Sequence, residues 1–104
     1  MRTLPFGFEK EALTRLKQIE RGELGVSVAG NSWAHVYAGN VTFVADDGWI
    51  FVVFNDCDEW DYLSAVMDTN GHVVDYDDIK SMSELTEYTP DDDAKFKNAK
   101  VIKA

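Results

Sequence analysis

Four carboxylates, Asp56, Asp58, Glu59 and Asp61, crowd around Trp60 in a space of six residues. Such a cluster can do three things: hold a hard cation, move protons for a hydrolase, or attract a positively charged partner. The cation reading needs ligands that converge. A helix–loop–helix calcium loop starting at Asp56 needs Gly at its sixth place and Glu at its twelfth. Those places hold Asp61 and Met67, so that pattern fails. On an extended strand Asp58 faces away from Glu59 and Asp61, which also works against a shared ion. A solvated acidic tip fits the spacing better.

The other reactive side chains give less. His35 and His72 are the two histidines, and neither lies in a Cys/His ligand spacing or near a nucleophile elbow. Cys57, the single cysteine, cannot form an internal disulfide, and its sequence neighbours are acids rather than the bases that favour a thiolate. It reads as a small side chain at a turn, in a reducing compartment. No catalytic residue, metal or cofactor is assigned, and the chain is read as a non-enzyme.

Charge distribution is more informative. The net charge is −9. Residues 1–21 sum to +2 and residues 80–104 to zero, while residues 22–79 carry eleven acids and no Lys or Arg. The acids are Glu23, Asp46, Asp47, Asp56, Asp58, Glu59, Asp61, Asp68, Asp75, Asp77 and Asp78. Nucleic acid and anionic membranes need a basic footprint, so neither is an expected partner. A basic protein surface is, with solubility alone as the plain alternative. The partner-binding set is therefore Asp46, Asp47, Asp56, Asp58, Glu59, Trp60, Asp61, Asp68, Asp75, Asp77 and Asp78. Trp60 is the candidate aromatic anchor among them, placed by strand alternation on the side of Asp58 and Tyr62.

These residues need a scaffold. Residues 8–21 predict an amphipathic helix with Phe8, Ala12, Leu13, Leu16 and Ile19 on one side and Gly22 as its stop. Residues 24–32 read as a short strand or a loop. Residues 33–45 read as a strand with a break at Gly39-Asn40, and Asp46-Asp47-Gly48 as a hairpin turn. Residues 49–54 are aromatic and β-branched and predict a strand. Asn55-Asp56 breaks it, and residues 59–67 predict the return strand. Asn70-Gly71 predicts a type I′ turn into a strand at 72–76. Residues 79–88 are ambiguous. Thr89-Pro90-Asp91-Asp92 reads as a helix start, with the helix running to about Val101. The expected fold is one α+β domain over 1–104: an N-terminal helix, an antiparallel meander sheet of three to four strands, and a C-terminal helix. Met1–Gly7 has no apolar leader core and no run is long enough to span a membrane, so the cytoplasm is the expected location.

The run Phe54-Asn55-Asp56-Cys57-Asp58-Glu59-Trp60-Asp61-Tyr62 resembles a motif in a family of small, uncharacterised bacterial and phage-borne proteins. In that family N-D-C-D-E-x-D-Y follows a D-G-W strand start, here Asp47-Gly48-Trp49. An upstream S-W…Y-x-G is matched by Ser32-Trp33 and Tyr37-Ala38-Gly39. The likeness spans about Ser32 to Tyr62 and admits the leading helix; the final third departs from it. The family has no established activity and so lends no catalytic residues. Its phage association implies an inhibitor of host defence.

The function expected from charge and resemblance together is a non-enzymatic acidic binding protein. It would occupy a basic, nucleic-acid-binding surface of a partner, as anti-CRISPR and anti-restriction proteins do. Two alternatives stand beside it: an immunity protein or antitoxin against a toxic nuclease, and a metal-assisted hydrolase using Asp56, Asp58 and Asp61.

Overall fold

Phe8, Ala12, Leu13, Leu16 and Ile19 recur at three- and four-residue spacing, and all five are buried along helix α1, Phe8–Glu20. The structure, a computed structural model, describes residues 6–102. Gly22 ends α1 as expected. At φ 78° it is left-handed, its N–H bonds the Ile19 carbonyl at 3.0 Å, and the Glu23 N–H reaches back to Gln18 at 2.8 Å. This is the paired bond pattern of a Schellman cap.

Six strands follow. They are β1 (Val26–Ala29), β2 (Ala38–Ala45), β3 (Ile50–Asp56), β4 (Glu59–Met67), β5 (Val73–Asp75) and β6 (Lys100–Val101). Their order in one sheet is β5-β4-β3-β2-β1-β6. The first five pair antiparallel, and β6 lies parallel to β1. A 3₁₀ turn, Trp33–His35, precedes β2. Three one-turn helices follow β5: α2 (Tyr76–Ile79), α3 (Ser83–Glu87) and α4 (Ala94–Lys97).

The α+β class is as expected, but the meander of three to four strands between two terminal helices is not what forms. The sheet is mixed and six-stranded, and the last described element is a strand. The C-terminal helix fails to run from Pro90 to Val101 because its apolar residues are too few to bury a helical face. Beyond buried Pro90, Phe96 is the one side chain of that span in the hydrophobic core. The N–H groups of Asp91 and Asp92 bond the Glu20 carboxylate of α1 instead of opening a helix. β-Branched Val101 and Ile102 join the open edge of β1, where the Ile102 N–H donates to the Val28 carbonyl at 2.7 Å. Glu9, at the other end of α1, likewise accepts from the N–H groups of Glu84 and Leu85 at the start of α3. Two carboxylates of one helix thus tie down the segment from 84 to 92.

Two further strand expectations shift. The strand expected from residue 33 begins only at Ala38, since Trp33–His35 turns. The β4–β5 hairpin forms, with Met67 opposite Val73, but its turn is not type I′. Gly71 has positive φ and Asn70 does not, and the Gly71 N–H closes on the Asp68 carbonyl. Tyr76, expected in β5, opens α2.

All helices lie on one side of the sheet. Their buried residues, among them Leu16, Ile79, Leu85 and Phe96, form a single cluster with Val28, Phe43, Phe51, Val53, Leu63, Val66 and Val74. From Val41 to Ala45 and from Ile50 to Asn55 buried and half-exposed residues alternate, so the opposite face stays open to solvent.

Candidate functional site

The β3–β4 hairpin turns on Cys57 and Asp58, whose φ angles are 53° and 74°. Both central residues of a type I′ turn require positive φ, and here neither is glycine. Asp56 and Glu59 close the turn as a cross-strand pair. The turn thus sits two residues beyond the Asn55-Asp56 break read from the sequence.

A compact set of bonds holds this unusual turn. Asn55 is fully buried. Its amide donates to the carbonyls of Trp33 and Val36 at 3.2 and 3.0 Å, and its oxygen accepts from the Asp58 N–H at 2.8 Å. The Trp33 indole N–H donates to Asp58 Oδ1 at 2.8 Å. The Cys57 N–H donates to the Tyr37 carbonyl at 2.8 Å. Lys97 of α4 places its ammonium 3.7 Å from Asp58 and 3.2 Å from Asp93. Residues 32–37 and the hairpin tip are therefore one bonded unit. Between them lies an open cleft of about 470 Å³ lined by Trp33, His35, Tyr37, Cys57 and Asp58.

The acids divide by place and by occupation. Asp56, Glu59 and Asp61 are exposed at the tip and form no ion pair among the described residues. Asp58 is committed to Trp33 and Lys97. Asp46 and Asp47 stand at the opposite end of the sheet, ~20 Å away by the rise of β3, and Asp47 pairs with Arg15 at 2.7 Å. Asp68 is only 7% exposed. Burial alone would raise its carboxyl, but the N–H and ring of His72 and the N–H of Asn70 outweigh that and hold it below the usual range. Asp75 caps α2, with Asp78 answering in a capping box. Asp77 is 3.4 Å from Lys80.

Trp60 is not at the surface. It is 8% exposed and packs edge-on against Phe96 and Tyr88, 4.9 and 5.6 Å between ring centroids. Its place on the face opposite Tyr62 follows from one of two β-bulges in β4. The register skips one residue between the pairs Val52–Ala65 and Val53–Leu63, and another between Phe54–Tyr62 and Asn55–Trp60. Each bulge inserts an unpaired residue, so Trp60, Leu63 and Val66 all point inward at a spacing of three. Tyr62 points outward and stacks on Phe54.

The exposed aromatic at the tip is Tyr37, 79% accessible. Hydrogen bonding to the Cys57 side chain raises its hydroxyl above the ordinary value, with burial and the Asp56 charge adding. No property of its sequence neighbourhood distinguished it from a strand residue; only the 3₁₀ turn before β2 brings it to the tip.

Among the described residues no group of three or more His, Cys, Asp or Glu is arranged to hold a metal ion. Asp56, Asp58 and Asp61 do not converge, so nothing in the geometry favours the metal-assisted hydrolase. No helix among the described residues is long and apolar enough to cross a membrane.

Fold and site together define a small α+β domain: a mixed sheet covered on one face, with a bonded acidic hairpin at one end. The chain belongs to the family described as Domain of unknown function (DUF7693), which matches residues 9–87. That span includes α1 from its second residue, β1 to β5 and the whole tip, and stops short of α4 with its Lys97 and Phe96. Comparison with curated proteins and with solved structures gives no match.

Proposed function

We propose that this domain is a non-enzymatic binding module for a basic protein surface, with the β3–β4 tip as its leading contact. The observation that supports this most is the set of exposed acids Asp56, Glu59 and Asp61, without an ion pair among the described residues, beside exposed Tyr37, on a chain with no Lys or Arg from residue 22 to 79. A field of one sign raises encounter rates with a cationic surface, and an exposed tyrosine supplies apolar contact on arrival. A surface built for nucleic acid is the natural partner class, because carboxylates at the tip can stand where phosphates would sit. The inhibitor of a nucleic-acid-binding protein, of the anti-CRISPR or anti-restriction kind, is the specific form of this reading.

The test is kinetic. A basic partner is captured from lysate at low salt, and association is measured at two ionic strengths. Combined Asp56→Asn, Glu59→Gln and Asp61→Asn changes slow association and flatten its salt dependence, since screened attraction sets the encounter rate. Tyr37→Ala speeds dissociation. An unchanged rate and salt slope in the neutralised variant removes the tip from the interface.

A further inference from the structure

The open face of the sheet is ordered into rows by the strand register. One row runs Ser27, Val44, Ile50, Met67, Val73. The next runs Ala29, Thr42, Val52, Ala65, Asp75. The third holds Asn40, Phe54 and Tyr62, with Tyr76 beside Tyr62 at 4.8 Å. The fourth, at the tip, holds Ala38, Asp56 and Glu59. Phe54 and Tyr62 are parallel to within 1°. None of the apolar side chains in these rows belongs to the buried cluster under the helices.

This face is therefore apolar in its middle and acidic along one end and one edge. Five of its six strands lie within residues 22–79, which hold no Lys or Arg. Two cations lie at its margins among the described residues: Lys100, paired with Ser27 at the far edge, and Lys80, 5.4 Å over the Tyr76 ring and 3.4 Å from Asp77. Contiguous apolar surface rimmed by charge marks an interaction site. The charge selects the occupant. A second copy would bring the same acids together, while a partner with lysines or arginines flanking an apolar stripe would neutralise them. The form of the occupant follows from the backbone. The middle strands have their hydrogen bonds filled, and the edge strands β5 and β6 are three and two residues long, so strand addition has little to grip. The width from β2 to β4 is two strand spacings, ~10 Å, close to the diameter of a helix with its side chains.

We infer that the open face, centred on Val52, Phe54 and Tyr62, is the seat of a basic amphipathic helix of a partner protein. This deepens the proposed function and rests on it for the sign of the partner, but not for the place of contact.

The test uses the whole chain and two 18-residue helical peptides as probes, one of leucine and lysine and one of leucine and glutamate at the same spacing. Binding is followed by backbone amide shifts and calorimetry. The lysine peptide shifts amides across β2, β3 and β4, and the glutamate peptide does not bind. Phe54→Ser weakens the lysine peptide by about tenfold or more, and Tyr62→Thr does the same in a chain whose amide spectrum stays folded. Shifts confined to residues 56–61, or affinity indifferent to both variants, overturn the inference and leave the tip as the contact. A wild-type dimer that Phe54→Ser splits also overturns it. Loss of binding in Phe54→Ser with no effect of neutralising Asp56, Glu59 and Asp61 upholds the face and removes the tip reading.

Discussion

The Trp33 indole N–H meets Asp58 Oδ1 at 2.8 Å across 25 residues of sequence, so a residue that reads as one more acid of the tip is instead the clasp between two loops. Asn55 makes the same joint from below, with three bonds and no exposure. Asn55→Ala leaves the Trp33 and Val36 carbonyls and the Asp58 N–H without their partner. The expected cost is about 3 kcal/mol, read as a lower urea midpoint. Amides of residues 33–37 should also lose hydrogen-exchange protection. Loss of stability without loss of protection there would mean the joint is not what Asn55 secures.

Cys57 takes φ 53° without being glycine. A left-handed conformation costs an ordinary L-residue roughly 1 kcal/mol. Cys57→Gly should therefore raise the melting temperature by a few degrees, and Cys57→Val should lower it, since β-branching is worst tolerated there. The two melting curves decide. A destabilising glycine would show that the thiol itself holds the turn, through Tyr37.

Trp60 separates stability from recognition. It is buried among aromatics, and its N–H has no hydrogen-bond partner among the described residues. Trp60→Ala should cost about 3–5 kcal/mol in equilibrium unfolding. Trp60→Phe should cost much less, because it also removes a buried donor without an acceptor. If Trp60→Ala leaves stability intact, the ring is not part of the core.

The misplacement of Trp60 shows where sequence reading runs out. The strand from 59 to 67 is legible from its residues, and so is α1; that a turn flanks the strand on each side is legible too, but not that the first sits at Cys57-Asp58 or that the second is not type I′. Alternation then puts Trp60 with Tyr62, and only the partner strand reveals the bulge at Asp61 that reverses this. β6 is illegible for the same kind of reason: Lys100 and Val101 become a strand because β1 has a free edge. The acids were all visible, but their commitments were not. Asp58, Asp47 and Asp68 are held by residues 25, 32 and 4 positions away respectively.

Asp68 gives a pH signature. Its carboxyl is held below the usual range in the folded chain by His72 and Asn70, against the opposing effect of burial. The unfolded chain therefore takes up this proton at higher pH than the folded one. The stabilisation is complete above the ordinary carboxylate range and is lost as pH falls through the lowered value. Asp68→Asn should be less stable than wild type at neutral pH, and the gap should close on acidification. A gap that stays constant from pH 7 to pH 3 would assign the loss to packing alone.

Asp56 and Glu59 face each other across the last rung of the hairpin, both exposed and without a counter-ion among the described residues. Like charges placed directly opposite destabilise a hairpin. Glu59→Gln should thus stabilise the fold by about 0.5 kcal/mol at low ionic strength. That advantage should vanish near about 0.5 M salt, where the screening length falls to a few ångströms. Denaturant melts at the two salt concentrations measure both effects. A chain that keeps a repulsive pair at an exposed turn gives up stability for something else, and sites of that kind concentrate where a protein meets its partner. The same substitution should slow association with the basic partner while it stabilises the free domain. If Glu59→Gln gains stability and leaves association untouched, the repulsion serves no encounter, and the acidic tip is a solvated turn.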